Sequence, residues 1–129
     1  MSLDAKKIKD SLTIDDVIKI VMKLGSEYPK HTNDEDVIIF NTVCHNKRDG
    51  KYKLYYMDSR KSFNCFTQCS DSFDIYELIK RNKALYGIDM SFHEIVQYVA
   101  VITGMHYRKQ RIGFGVTGFL VKDWDFING

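Results

Sequence analysis

The chain has 129 residues, of which 44% are hydrophobic and 28% are charged, and its net charge is only +2. These values are ordinary for one soluble globular domain. No apolar stretch approaches the roughly 18 residues of a membrane-spanning helix. The polar start has no signal-peptide pattern, so we expect a cytoplasmic protein. There are three cysteines, and an odd number in such a chain disfavours a disulfide framework.

The first part of the chain predicts one helix and then a small sheet. Apolar residues recur at helical spacing over residues 13–24, and Thr13 with Asp16 forms a capping box. Strand patterns then cover residues 36–44, 51–57 and 61–66. Because the turns between these runs are short and polar, we expect an antiparallel meander.

Two further helices are predicted after the sheet. Ser72 is expected to cap the first, and Ser91 begins the second with a capping box. The predicted fold class is therefore α+β, a small antiparallel zinc-ribbon-like sheet flanked by helices, over residues 1–104. Residues 105–129 are predicted to be a Gly-rich linker or tail toward a further domain.

The three cysteines fall into two predicted turns. Cys65 and Cys69 are separated by three residues, and Cys44 stands beside His45 at the end of the first strand. Zinc is usually held by four nitrogen or sulfur ligands arranged as a tetrahedron. The spacing predicts one structural zinc per chain on Cys44, His45, Cys65 and Cys69. Four protein ligands would leave no open position for a reacting water.

Two alternatives stay open at this point. Cys44 and Cys65 could instead be small buried residues on strands. Adjacent residues of an extended strand also point to opposite faces, so Cys44 and His45 can share a metal only if the chain bends there. The other candidates for the fourth ligand are His31, Asp49, Asp71 and a water molecule.

Around these residues the sequence resembles the N-terminal zinc-binding domain of bacterial DNA primases, especially those of phages and mobile elements. The family pattern is Cys-Pro-Phe-His, a strand and a Cys-Phe-x-Cys turn, matched here by residues 42–47, 53–56 and 61–69. Residues 72–79 and 90–96 are similar to the helices that follow, and the resemblance covers residues 13–103. Two features depart from the pattern, because Cys44 and His45 are adjacent and the second cysteine pair is one residue wider.

The resemblance implies a module that engages single-stranded template DNA during primer synthesis. Its implied partners are single-stranded DNA, the polymerase domain of the same or a longer protein, and a replicative helicase, with no membrane. The acidic motifs of the polymerase domain are not visible in this chain. The resemblance therefore implies the non-catalytic part of a DNA primase.

The second strand has a composition that suits nucleic acid. Lys51, Lys53, Tyr55 and Met57 are predicted to share a solvent face, and Tyr52, Leu54 and Tyr56 the other, with Leu54 and Tyr56 buried. Cations track phosphates and bases stack on aromatic rings. The predicted DNA-binding residues are Lys47, Arg48, Lys51, Lys53, Tyr55, Arg60, Lys61 and Phe63.

Three other interpretations compete with DNA binding. The strand could be an ordinary charged sheet face, with its aromatic residues filling the core. The domain could be a zinc-stabilised protein-interaction module that uses its helices or its tail. A metalloenzyme would require an open zinc position.

Overall fold

The computed structural model describes residues 4–47 and 50–104. Arg48, Asp49 and the predicted tail lie outside these residues. Within the described part the elements are α1 (Ala5–Ser11), α2 (Ile14–Lys23), β1 (Lys30–His31), β2 (Val37–Asn41), β3 (Tyr52–Met57), β4 (Ser62–Cys65), β5 (Ser72–Phe73), α3 (Ile75–Ala84) and α4 (Phe92–Thr103). The predicted α+β class is confirmed. No helix in this part is long and apolar enough to cross a membrane.

The strands form one antiparallel sheet in the order β1-β2-β3-β4-β5. The predicted meander of β2, β3 and β4 is confirmed, and a two-residue strand adds to each edge. The first predicted strand was too long, because β2 ends at Asn41. Beyond it the chain turns, with the N–H of Val43 donating to the Asn41 carbonyl and that of His45 to the Thr42 carbonyl.

The capping boxes predicted for two helices are both confirmed. Thr13 caps α2 with Asp16, and Ser91 caps α4 with Glu94. Gly104, with φ of 72°, ends α4 in the left-handed conformation that glycine adopts readily. Helix α1 has no strong hydrophobic periodicity in its seven residues and was not predicted.

The predicted cap of α3 was wrong. Asp74 caps this helix, its carboxylate accepting the N–H of Glu77 at 2.9 Å. Ser72 instead pairs with Asn64 across β4 and β5. Aspartate and serine are both favoured at a helix N-cap, so two candidates two residues apart could not be separated by type.

The core lies between the helices and one face of the sheet. Phe40, Leu54, Tyr56 and Phe63 are at most 1% exposed and form the sheet's contribution to it. Helix α2 packs on α4, and α3 packs on both α4 and β4. Burial of this apolar face makes the main favourable contribution to the free energy of folding.

No helix among the described residues covers the opposite face of the sheet, which we call the open face. The pairing register places a row of residues from neighbouring strands on it: Lys30, Ile39, Tyr55, Asn64 and Ser72. None of these residues is buried. In the described part of the chain these side chains are therefore at least partly exposed to solvent.

A β-bulge changes the start of β3. Phe40 pairs with Leu54 and Asn41 pairs with Tyr52, which leaves Lys53 as an extra residue. A bulge breaks the two-residue alternation of side chains. Tyr52 therefore lies on the open face, opposite Asn41, and its predicted place beside Leu54 was wrong.

Candidate metal centre

The first ligand loop, residues 42–47, is a tight turn that follows β2. The carbonyl of Thr42 accepts the N–H groups of His45 and Asn46 at 3.2 Å and 3.0 Å. In an extended strand the adjacent side chains of Cys44 and His45 would point to opposite faces. Because the chain turns here, the two side chains can converge. The Cys44 thiol and the His45 Nδ1 atom are 3.2 Å apart.

Gly50 lies against this loop and must lack a side chain. A Cβ atom there would come within 2.5 Å of the Thr42 hydroxyl and 3.1 Å of the Asn46 amide nitrogen. The Gly50 carbonyl accepts the side-chain amide of Asn41 at 2.8 Å. A residue of any other type would force the Thr42 side chain or the loop backbone to shift.

The second ligand loop, residues 65–71, joins β4 to β5. The Cys65 N–H donates to the Asp71 carbonyl at 3.1 Å and closes the loop. Ser70 adopts the left-handed conformation, with φ of 53°, and its hydroxyl donates to the Thr67 carbonyl at 2.6 Å. The loop thereby carries Cys65 and Cys69 to the same point.

The four predicted ligands meet at one place. The ligand atoms of Cys44, His45, Cys65 and Cys69 all lie within 4.8 Å of one another. The Cys69 and Cys44 sulfurs are 3.4 Å apart, and His45 Nδ1 is 3.5 Å from Cys69 and 3.8 Å from Cys65. In the part of the chain that the structure describes, this group could hold a metal ion.

The spacing of these atoms matches a tetrahedral ion better than a disulfide. Zinc–sulfur bonds of about 2.3 Å place two ligand sulfurs about 3.7 Å apart, and a sulfur and an imidazole nitrogen about 3.6 Å apart. Four of the separations, at 3.2 to 3.8 Å, lie close to these values, and every pair lies within 4.8 Å. A disulfide would bring two sulfurs to about 2.05 Å, and all three cysteines are free thiols.

Burial and hydrogen bonds shift the pKa values of three residues in the cluster. Burial raises the pKa of Cys44, and the neighbouring thiols of Cys69 and Cys65 raise it further. Burial also raises the pKa of Cys65, but hydrogen bonds from the Thr67 hydroxyl and from the backbone N–H groups of Thr67 and Cys69 outweigh it and lower the pKa to about 7. The pKa of His45 is lowered by burial, which favours the neutral imidazole that binds metal ions.

Two of the rival fourth ligands, His31 and Asp71, do not join the cluster. His31 is exposed on β1, where its ring lies 6.0 Å from that of Tyr28. Asp71 is held by Arg81, with two oxygen–nitrogen distances of 2.9 Å. Asp49 lies outside the described residues. His45 is therefore the fourth residue that the fold brings to the three cysteines.

Two residues of α3 support the ligand loops, and the sequence pattern identified neither. Asn82 is 1% exposed and donates to the carbonyls of Val43 and Leu24 at 2.9 Å and 3.0 Å. Arg81 pairs with Asp71 and with Glu77, and it lies 4.3 Å from the Phe73 ring centroid. A polar residue on the apolar side of α3 was the only signal for Asn82.

Several predicted DNA-binding residues lie near one another by the open face. Lys53 is exposed and Tyr55 is half-buried on β3, and Lys51 is exposed just before that strand. The pattern missed three neighbours on the same face, namely Lys30, Tyr52 and Phe66. The Lys30 amine lies 4.3 Å from the Tyr52 ring centroid, and the Phe66 ring meets the Tyr55 ring edge-on at 5.0 Å.

Other predicted DNA-binding residues lie elsewhere. Phe63 is fully buried in the core, so its predicted place on the open face was wrong, because β4 alternates in the opposite sense. Lys61 directs its amine to the Leu12 carbonyl at 2.6 Å and to Asp58 at 3.0 Å, so it is not free for phosphate. Lys47 lies over the Tyr86 ring, and Arg60 is exposed at the β3–β4 turn.

Comparison with known proteins gives one informative similarity. The chain is 40% identical over 132 aligned positions to the SPbeta prophage-derived uncharacterized protein YorJ of Bacillus subtilis (strain 168). The alignment covers 98% of this chain and 33% of that protein, so the chain spans about a third of the length of the relative. No protein-family profile and no solved structure matches the chain.

The fold and the site together define a class of protein. The chain is a small α+β domain with a Cys-His-Cys-Cys group able to bind a metal ion. It is similar to part of a prophage-derived protein whose name states no activity.

Proposed function

We propose that this chain is a zinc-binding module that recognises single-stranded DNA, and that it serves a DNA primase of phage type during primer synthesis. The observation that carries the proposal is the open face, where aromatic and basic side chains lie beside a Cys-His-Cys-Cys group. The resemblance to primase zinc-binding domains and the prophage origin of the relative support the same assignment. The catalytic step would belong to a polymerase domain.

Zinc is the metal that the ligand set favours. Three thiolates and one imidazole form one of the common structural zinc sets. The four residues would hold the ion between the two ligand loops and pin the ends of β2 and β4 together. Zinc would supply fixed geometry and no open coordination position, which argues against a metalloenzyme.

The open face has the chemistry that single strands require. Phe66 is 62% exposed, and with Tyr55 it forms an aromatic pair against which a base can stack. Lys53 is exposed on the same face, and Lys30 lies near Tyr52. Bases stack on such rings irrespective of their sequence, and cations nearby follow the phosphates.

A cleft adjoins this aromatic pair. It has a volume of about 320 Å³, enough for a base, and is lined by Asn64, Cys65, Phe66, Ser70, Asp71 and Ser72. Its wall includes the ligand Cys65, so the second ligand loop shapes it. Binding of the metal and binding of DNA would therefore be coupled through this loop.

Fluorescence anisotropy with a labelled oligothymidylate tests DNA binding. The zinc-loaded protein should bind the strand at low salt, and the affinity should fall as salt is raised. Tyr55→Ala should weaken binding by roughly 5- to 150-fold, which corresponds to about 1–3 kcal/mol for a lost stacking contact. Lys53→Glu should weaken it and also reduce the salt dependence.

Matched variants on the helical side control for charge and for loss of a ring. Lys80→Glu changes an exposed lysine of α3, and Phe92→Ala removes a ring that is 60% exposed on α4. Both should leave the affinity within about two-fold of the parent, since neither residue lies on the open face. Absence of binding at low salt, or equal loss in all four variants, would reject the DNA-binding proposal.

A protein-interaction module is the second candidate. Phe92 and Val101 on α4 are 60% and 64% exposed, and Ile88 before α4 is 48% exposed. Exposed apolar side chains of this size can mark a contact surface for another protein. Phe92 and Val101 are nine residues apart and so lie on opposite sides of α4, which makes them separate positions for contact. If a polymerase domain or a replicative helicase is captured through Val101, capture should be lost in Val101→Asp and kept in Lys53→Glu, and that result would favour this candidate.

A further inference from the structure

The second ligand loop carries a hydroxyl that touches two of the proposed metal ligands. We infer that Thr67 is a positioning residue, which fixes the ring of His45 for metal binding through Nδ1 and donates a hydrogen bond to the thiolate of Cys65. The inference rests on the proposed zinc site. It concerns a residue that is not a metal ligand itself and that the spacing of cysteines does not identify.

The geometry assigns the two nitrogens of His45 to different roles. Nδ1 lies 3.2 Å from the Cys44 sulfur, 3.5 Å from that of Cys69 and 3.8 Å from that of Cys65. Nε2 lies 3.3 Å from the Thr67 hydroxyl oxygen. The nitrogen among the three thiols is the one placed for a metal ion, and the other is placed for a hydrogen bond.

The same hydroxyl also reaches a cysteine. Thr67 Oγ1 lies 3.5 Å from the Cys65 sulfur. When Nδ1 binds a metal, the imidazole proton is on Nε2, so Nε2–H donates to Thr67 Oγ1. The hydroxyl keeps its own hydrogen, which it can donate to the Cys65 thiolate. One side chain thus links two ligands that belong to different loops.

This link has consequences for the site. An imidazole can rotate about its bond to Cβ and offer either nitrogen, and a partner on the second nitrogen fixes both the rotation and the tautomer. A hydrogen bond to a thiolate spreads its negative charge. Both effects favour the assembled site over arrangements in which His45 turns away.

Thr67 also makes a contact within the loop that involves no metal ligand. The Thr67 carbonyl accepts the Ser70 hydroxyl at 2.6 Å, and the Thr67 side chain is half-buried between the exposed Phe66 and Gln68. Thr67 is the middle residue of the three that separate Cys65 from Cys69. The wider spacing of this cysteine pair therefore provides the position that the hydroxyl occupies.

Zinc affinity in three variants of the full chain tests the role. Thr67→Val keeps the shape of the side chain and removes the hydroxyl, and it should raise the dissociation constant for zinc about 10- to 100-fold in competition with a chromogenic chelator. Thr67→Ser keeps the hydroxyl and should restore affinity to within about three-fold. Gln68→Ala is the matched control in the same loop, because Gln68 is exposed, and it should bind zinc like the parent.

Nitrogen NMR of the zinc-loaded parent gives a readout that loop stability alone would not change. His45 should show a metal-bound Nδ1 and a protonated Nε2, and Thr67→Val should show a mixture of both modes of binding. Binding of zinc through Nε2 in the parent, or unchanged affinity in Thr67→Val, would overturn the inference. If the parent bound no zinc, both the proposed zinc site and this role of Thr67 would be rejected. If the parent bound zinc and Thr67→Val bound it equally tightly, only the role of Thr67 would be rejected.

Discussion

The two ligand loops are held in place by different interactions. The first is held from the core, where the buried side chain of Asn82 donates to Val43 and that of Asn41 donates to Gly50. The second is held from the surface, where Arg81 pairs with Asp71, whose side chain is 47% exposed. Buried hydrogen bonds persist in high salt, whereas exposed ion pairs are weakened by it. The first loop should therefore be ordered by the fold, and the second should depend more on the metal.

Removal of the metal should have the largest effect on stability, and it should affect the two ligand loops to different extents. A ligand that binds only the folded state stabilises it by about 4 kcal/mol when its free concentration is 1,000 times its dissociation constant. Chelation should therefore lower the free energy of unfolding of the zinc-loaded protein by about this amount, measured by denaturant titration with and without chelator. Amide hydrogen exchange should rise more over residues 65–71 than over residues 42–47.

Readdition of zinc is the control for this experiment, and it should restore both stability and protection. Equal loss of protection in the two loops would show that the core does not hold the first loop by itself. Unchanged stability would mean that the cluster does not contribute a metal site to the folded state.

Loss of the Asn82 side chain should be the next largest effect, and it should act on the first loop. Asn82→Leu removes the donor to the carbonyls of Val43 and Leu24. Each carbonyl left without its partner costs about 1–3 kcal/mol, and loss of the buried, unpartnered Asn82 Oδ1 atom offsets part of this. We expect a net destabilisation of about 2 kcal/mol by denaturant titration.

Lys80→Leu, an apolar change at an exposed position of the same helix, is the control and should alter stability by less than about 0.5 kcal/mol. If the two variants were equally stable, the hydrogen bonds of Asn82 would not support the first loop.

The sequence predicted the elements that have a strong period or a capping box. Helices α2 and α4 and the three central strands follow from alternation and from helical spacing of apolar residues. The four candidate metal ligands, which the fold brings together, were predicted from their spacing, because cysteines in turns have few other uses in such a chain. Short elements such as β1 and β5 were missed, since two residues carry no period.

The open face was predicted only in part, because its details depend on register. The bulge at Lys53 moves Tyr52 to the open face, and no local sequence pattern predicts this bulge. Phe63 was placed on the wrong face for a related reason, since the sense of alternation in β4 is fixed by pairing with β3. The contact between the Lys61 amine and the Leu12 carbonyl could not be predicted either, because Leu12 is distant in sequence.

Gly50→Ala should have a smaller effect, through crowding of the first loop. The added methyl would approach the Thr42 hydroxyl to 2.5 Å and the Thr42 nitrogen to 3.0 Å. Overpacking of this kind costs about 1–2 kcal/mol, and the displaced loop should also bind zinc less tightly. Ser59→Ala, at the distant β3–β4 turn, is the control for zinc affinity. Parental stability and affinity in Gly50→Ala would show that the first loop accommodates a methyl group.

Arg81→Met should have the smallest effect on stability and should reveal the different character of the second loop. Methionine keeps an apolar stem against Phe73 and removes the ion pairs with Asp71 and Glu77. Because these pairs are partly exposed, we expect a loss of about 0.5–1 kcal/mol at low salt, measured by denaturant titration. The loss of stability should be smaller in high salt, whereas the effect of Asn82→Leu should be unchanged. Lys6→Met is the control, because it removes an exposed ion pair far from the site. A salt-independent loss as large as that of Asn82→Leu would show that both loops are held by the core, because screening acts only on charges that water can reach.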